Sequence, residues 1–62
     1  MSWERFDNLS ISEQQKVLRE VFLKTGLVYD VTTNKGLNAL KGEYHFYDSV
    51  RLFVGEAMEV VL

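Results

Sequence analysis

The sequence predicts a mainly β fold led by one N-terminal helix, its strands forming a small antiparallel sheet. Three observations carry that expectation. Ser10-Ile11-Ser12-Glu13 is a helix-start signal, Leu27 to Thr33 is a β-rich alternating run that ends at Asn34-Lys35-Gly36, and the chain closes on alternating apolar residues interrupted by Gly55-Glu56. Between them lies Leu40 to Val54, LKGEYHFYDSVRLFV, with the only histidine, a dense aromatic run and one glycine able to bend a strand.

The N-terminal residues place Trp3, Phe6 and Leu9 three apart, so a short helical turn would bring all three to one face. Such a stripe reads as a packing flap over the core, or as an aromatic anchor in a subunit or partner interface formed by Trp3 and Phe6. In the next segment the Ser10 hydroxyl and Glu13 carboxylate match a capping box, each side chain placed to satisfy an amide at the helix start. A helix over about 11–25 follows, with Val17, Leu18, Val21 and Phe22 on its apolar face. Lys24 suits the negative end of the helix dipole, and Gly26 suits the left-handed position that stops a helix.

Residues 27–33 put Leu27, Tyr29, Val31 and Thr33 on one side and Val28, Asp30 and Thr32 on the other, the period of a strand. Asn34-Lys35-Gly36 supplies a three-residue hairpin loop. A second strand is expected over 37–47. Its apolar phase starts on Leu37 and Ala39 and moves to Leu40, Tyr44 and Phe46, which implies a β-bulge near Asn38 to Leu40, with Gly42 as the bend. The last segment has two readings. Strands over 50–54 and 57–62 would turn back at Gly55-Glu56; a helix would start at Asp48 and carry Val50, Phe53, Val54, Ala57, Met58 and Val61 on one stripe, giving an α+β order of αββα. Gly55 and the β-branched valines favour the strands.

The 62 residues make a single domain, 1–62, without repeat, linker, proline or cysteine. A chain this short buries only about 60% of the surface its unfolded form exposes, and without cysteine it has neither a disulfide framework nor a thiolate metal site. Association with other copies is the stabilising device left. Seven basic residues against nine acidic ones give a net charge of -2, with the basic residues scattered, so any phosphate-binding surface would be local. No apolar run reaches membrane-spanning length, and the first residues, MSWERFDN, lack the order of a secretory signal; a cytoplasmic protein is expected.

Catalysis has little support. His45 stands alone, with no cysteine, phosphate loop or metal-ligand spacing beside it, so no nucleophile-base pair and no metal cage can be assembled from motif spacing. We expect no enzyme, no cofactor, no metal and no small-molecule substrate. The cluster Tyr44-His45-Phe46-Tyr47 has two readings: bases stacking on an exposed ring while Lys41 meets phosphate, or a packed hairpin with tyrosines at its rim.

LKGEYHFYDSVRLFV resembles the first signature segment of the Sm-like family, its bacterial Hfq-like branch in particular. Leu40, Gly42, Tyr44, Tyr47 and Asp48 fill the apolar, glycine, apolar, aromatic and aspartate places of that pattern, and Leu52, Phe53 and Val54 continue it. The resemblance implies a strongly bent five-stranded sheet capped by the helix, an SH3-type barrel whose copies pair through edge strands into a ring that binds RNA on its inner face. It places Tyr47 and Asp48 in the RNA site, with Ser49 beside them; Lys41 and Arg51 are the accompanying cations, and Val60, Val61 and Leu62 are the candidate edge for ring assembly. The Gly36-to-Gly42 spacing is one residue longer than the family's, which the bulge would absorb. Such a compact, helix-led chain also resembles small phage-encoded or accessory proteins. The alternative function is a protein-binding or inhibitor module with no nucleic-acid role, docking through its acidic surface and the Trp3/Phe6 end.

Overall fold

A computed structural model describes residues 3–62. The chain forms four helices, α1 (Trp3–Asp7), α2 (Ile11–Thr25), α3 (Asn34–Phe46) and α4 (Asp48–Val61), and no strand occurs among the described residues. The mainly β architecture is therefore corrected to all-α, and with it go the Sm-like resemblance, the SH3-type barrel, the αββα alternative and every predicted strand. The helical reading of the last segment is the one the chain adopts.

Helix α2 forms as its caps dictate. Glu13 N donates to Ser10 Oγ and Ser10 N donates to Glu13 Oε1, both at 3.1 Å, which satisfies two amides that the helix itself cannot. At the other end Gly26 takes φ 77°, ψ 1° and its N–H donates to Phe22 O. A side chain would be strained in that left-handed conformation. Val17, Leu18 and Val21 are buried on the inward face.

Residues 27–33 are a connection rather than a strand. The Asp30 carboxylate accepts from Thr32 N at 2.9 Å and from the Thr32 hydroxyl, an aspartate turn that folds the chain back on itself. Val31 drops into the core. Thr33 then caps α3, its Oγ1 accepting from Gly36 N at 3.0 Å. Gly36 lies against the Asp30 carbonyl, whose carbon would be 2.8 Å from an added Cβ, so it serves close backbone approach rather than a hairpin turn.

The shift of apolar phase inside the second predicted strand has a simpler source than a bulge. Leu37, Leu40 and Tyr44 are spaced by three and then four, which is the helical period; Leu40 and Tyr44 are fully buried and Leu37 packs beside them. Gly42 falls on the solvent face of α3, where an added Cβ would meet nothing within 4 Å. It bends no strand. In α4 the positions Val50, Val54, Ala57 and Met58 are buried, again by threes and fours. The alternation of Val50, Leu52 and Val54 coexists with that pattern and lost to it, because packing of the apolar stripe outweighs the weak helix preference of valine.

α4 packs on α2 and on α3. Trp3 and Phe6, expected at an interface or as a flap, cover one end of this core, 6% and 0% exposed, with the Trp3 ring 5.1 Å from Phe6 and 5.4 Å edge-on to Tyr44. The buried Gln14 fastens α1 to α2: its Nε2 donates to Phe6 O at 3.0 Å and Asp7 O at 3.4 Å, carbonyls at the end of α1, of which Phe6 O also accepts from Leu9 N at 3.0 Å.

Candidate protein-docking face

α2 and α4 are each more apolar than one copy needs. In α2 the inward positions end at Val21, yet Phe22 and Leu23 follow, and both point largely outward, Leu23 at 67% exposure. In α4 the buried stripe leaves Leu52 and Val60 outside, Val60 at 72%. Helices that carry apolar side chains beyond their core stripe present a contact surface. Of these four, Leu23 and Val60 line one groove, whereas Phe22 and Leu52 line others. Leu23 and Lys24 from α2 face Phe53, Ala57 and Val60 from α4 across an open groove of about 210 Å³, with Glu20 and Glu56 at its rim. Lys24 Nζ pairs with Glu56 across the groove. A second hollow on the outer side of α4 is lined by Arg51, Leu52, Gly55, Glu56 and Glu59 and adjoins the first at Glu56.

The residues assigned to RNA lie away from this groove. Lys41 and Arg51 line a cleft of about 390 Å³ with Trp3, Glu4, Asp7, Tyr44 and His45, in which Glu4 and Asp7 face the cations. Arg51 is already engaged. Its Nη1 donates to Tyr44 O at 2.8 Å and His45 O at 2.9 Å, and its guanidinium pairs with Asp48. Tyr47, Asp48 and Ser49 sit at the corner where α3 meets α4, exposed, with the Phe46 and Tyr47 rings 4.8 Å apart. Among the described residues there is no sheet edge on which to array them as a ring would require. Of the assembly residues, Val60 and Leu62 are exposed and Val61 is partly buried against the core, whereas Trp3 and Phe6 belong to the core of the single copy.

Two groups are electrostatically displaced, both away from the groove. The Tyr29 hydroxyl, partly buried and donating to Glu43 Oε1 at 3.1 Å, is pushed up to about 12 by burial first and by the neighbouring carboxylate second. The Asp30 carboxyl is held below the usual carboxylate range by its bonds from the Thr32 side chain and backbone. Among the described residues no cluster of three His, Cys, Asp or Glu side chains is arranged to hold a metal ion, and no helix is long and apolar enough to cross a membrane.

The described residues form a small all-α domain with exposed apolar side chains on α2 and α4. No protein-family model matches the chain, and no curated protein or solved structure shows significant similarity to it. Leu23, Phe53 and Ala57 were not among the site residues read from sequence. The signal for Leu23 was available: Phe22 and Leu23 are adjacent, and the core stripe of a helix already supplied by Val17, Leu18 and Val21 leaves the second of them outside.

Proposed function

We propose that this chain is a non-catalytic protein-docking module that engages a protein partner through the face formed by α2 and α4. The observation that carries the reading is the pair Leu23 and Val60, two-thirds or more exposed on opposite walls of one groove whose floor is Phe53 and Ala57. Covering two such side chains is worth about 1.5–3 kcal/mol each when burial is complete, a driving force that single scattered surface leucines do not provide. The rim residues Glu20, Lys24 and Glu56 give the polar border that a contact surface places around its apolar centre.

Photo-cross-linking in the cells that produce the protein tests the reading. A benzophenone side chain at position 23 or 60 is expected to trap a discrete protein adduct, and the same group at the exposed position 38 on α3 is expected to trap none. Equal labelling from all three positions, or no protein adduct from 23 and 60, removes the reading.

A further inference from the structure

We infer that this chain has a second state, a dimer in which two copies straighten at Tyr47 and exchange α4. The observation that carries it is a heptad register that runs through the bend. Leu37, Tyr44, Arg51 and Met58 stand seven apart, and so do Leu40, Tyr47, Val54 and Val61. Together they alternate steps of three and four from α3 into α4 without interruption, the a and d pattern of a seam between helices. Arg51 is its one charged member. The buried side chains of both helices keep to the same register: Leu40 and Tyr44 of α3 and Val54 and Met58 of α4 lie at a or d, with Val50 and Ala57 beside them at g. The bent fold does not require this agreement, because an extended residue between two helices sets the rotation of the second independently of the first. A helix continuous from 34 to 61 does require it.

Tyr47 is that extended residue, at φ −107°, ψ 120°, and no side chain caps α4 there. The first amides of α4, those of Asp48, Ser49 and Val50, have no acceptor within the helix. In a continuous helix they would donate to the carbonyls of Tyr44, His45 and Phe46. The first two of those carbonyls are the ones that Arg51 Nη1 occupies, so a guanidinium stands in for two backbone amides and holds the bend.

The partner follows from what α4 leaves behind. α4 packs on α2 as well as on α3, and straightening lifts it from that seat with Val54 and Met58, both fully buried in the single copy. The surface that fits them is the seat vacated on an identical chain. Two straightened copies therefore fill one another, and the buried apolar contacts of α4 are recovered between chains. The two-fold axis runs between the two Tyr47 residues. The α2/α4 groove is rebuilt from two chains, so the inference stands apart from the docking reading above.

The test is exchange between isotopes. Unlabelled and ¹⁵N-labelled chains, mixed in urea and refolded together at about 1 mM, a concentration that populates even near-millimolar association, should yield a species of twice the 7.2 kDa chain. In it a zero-length carbodiimide link between Lys24 and Glu56, which pair within a copy, should join light to heavy peptides as often as like to like; in the monomer it should join only like to like. Asp48→Pro puts proline at the first residue of α4, where it keeps the preceding Tyr47 extended, whereas in the straightened helix its ring meets the Tyr44 carbonyl. This variant should form no dimer and keep the helical circular dichroism of the monomer. Arg51→Ala frees both carbonyls and takes the charge out of the seam, and should raise the association constant about tenfold or more.

Refolding that gives monomer alone overturns the inference. So does a dimer whose Lys24–Glu56 links never mix isotopes, since that dimer associates without exchange. An Asp48→Pro chain that keeps the monomer's circular dichroism and still exchanges α4 overturns it as well.

Discussion

Arg51 reaches back from the first turn of α4 and donates from Nη1 to the carbonyls of Tyr44 and His45, at 2.8 and 2.9 Å. Those carbonyls lie in the last turn of α3, where a helix runs out of its own donors, and a cation there also meets the negative end of the dipole. Asp48, paired with the same guanidinium, sits in the first turn of α4, the favourable end for an acid. Arg51→Ala should therefore lower the unfolding free energy by about 1.5–3 kcal/mol, the range for hydrogen bonds from a charged donor, measured by urea denaturation. Arg51→Lys should recover only part of it, since an ammonium lacks the planar fork that reaches two acceptors together. An unchanged midpoint for Arg51→Ala would show that the corner holds without it.

Gly36 and Gly42, on one helix, should respond oppositely to alanine. At Gly36 the new methyl would run into the Asp30 carbonyl, so the aspartate turn must open and the melting temperature must fall. At Gly42 the methyl meets nothing, and replacing glycine in an exposed helix interior gains about 1 kcal/mol. Thermal melts of the two variants should move in opposite directions; a fall at Gly42 would contradict its exposed helical position.

Gln14→Leu should cost about 1 kcal/mol, because Asp7 O loses the amide of Gln14 while Phe6 O keeps its bond from Leu9 N, and the buried Gln14 Oε1, which has no hydrogen-bond partner among the described residues, is removed with it. The loss should be local. Hydrogen exchange is expected to speed up in α1 more than in the middle of α2, and uniform acceleration would place the effect on the whole fold instead.

The Tyr29–Glu43 bond gives a pH dependence with a defined sign. The folded protein holds the phenolic proton more tightly than the unfolded chain does, from an ordinary value of 10.0 up to about 12. This contribution to stability is fully present below pH 10 and is lost as the pH rises through 12. Glu43→Gln removes the charge while keeping an acceptor, so the alkaline loss should still begin near pH 10, where the unfolded phenol titrates, but should end at a lower pH than in wild type, and at a lower pH again in a Glu43→Ala chain. Ultraviolet titration of the tyrosinate against pH checks it.

How much of this was legible in the sequence depended on whether a local signal had one meaning. Ser10, Glu13 and Gly26 did: a capping box and a left-handed stop specify a helix without reference to the rest of the chain, and α2 occupies the span they mark. Trp3 and Phe6 at a spacing of three were legible as a packing stripe, and they pack. Val50, Leu52 and Val54 had two meanings, since a valine-rich segment alternates and also fits a stripe of threes and fours. The choice between them is made by Leu40, Tyr44 and Val21 across the core, which no local window contains. Leu37, Leu40 and Tyr44 were the missed clue, because a shift of phase in a supposed strand is the ordinary appearance of helical spacing. Val60 was legible as an exposed apolar end, and Leu23 as a side chain left outside the stripe of α2; that the two share one groove was not, because only the packing of α2 on α4 brings them together.

Tyr47 serves as the last cap of α3 and the first of α4, in extended backbone at φ −107°, ψ 120°. A joint one residue long has no slack: rotating that residue alone into α geometry would splice 34–61 into a single rod of roughly 42 Å. The rod would carry the inward stripe of α4 away from its own body and offer it to another. Compactness in this chain is thus held at a two-torsion latch, and the guanidinium that spans it is the bolt.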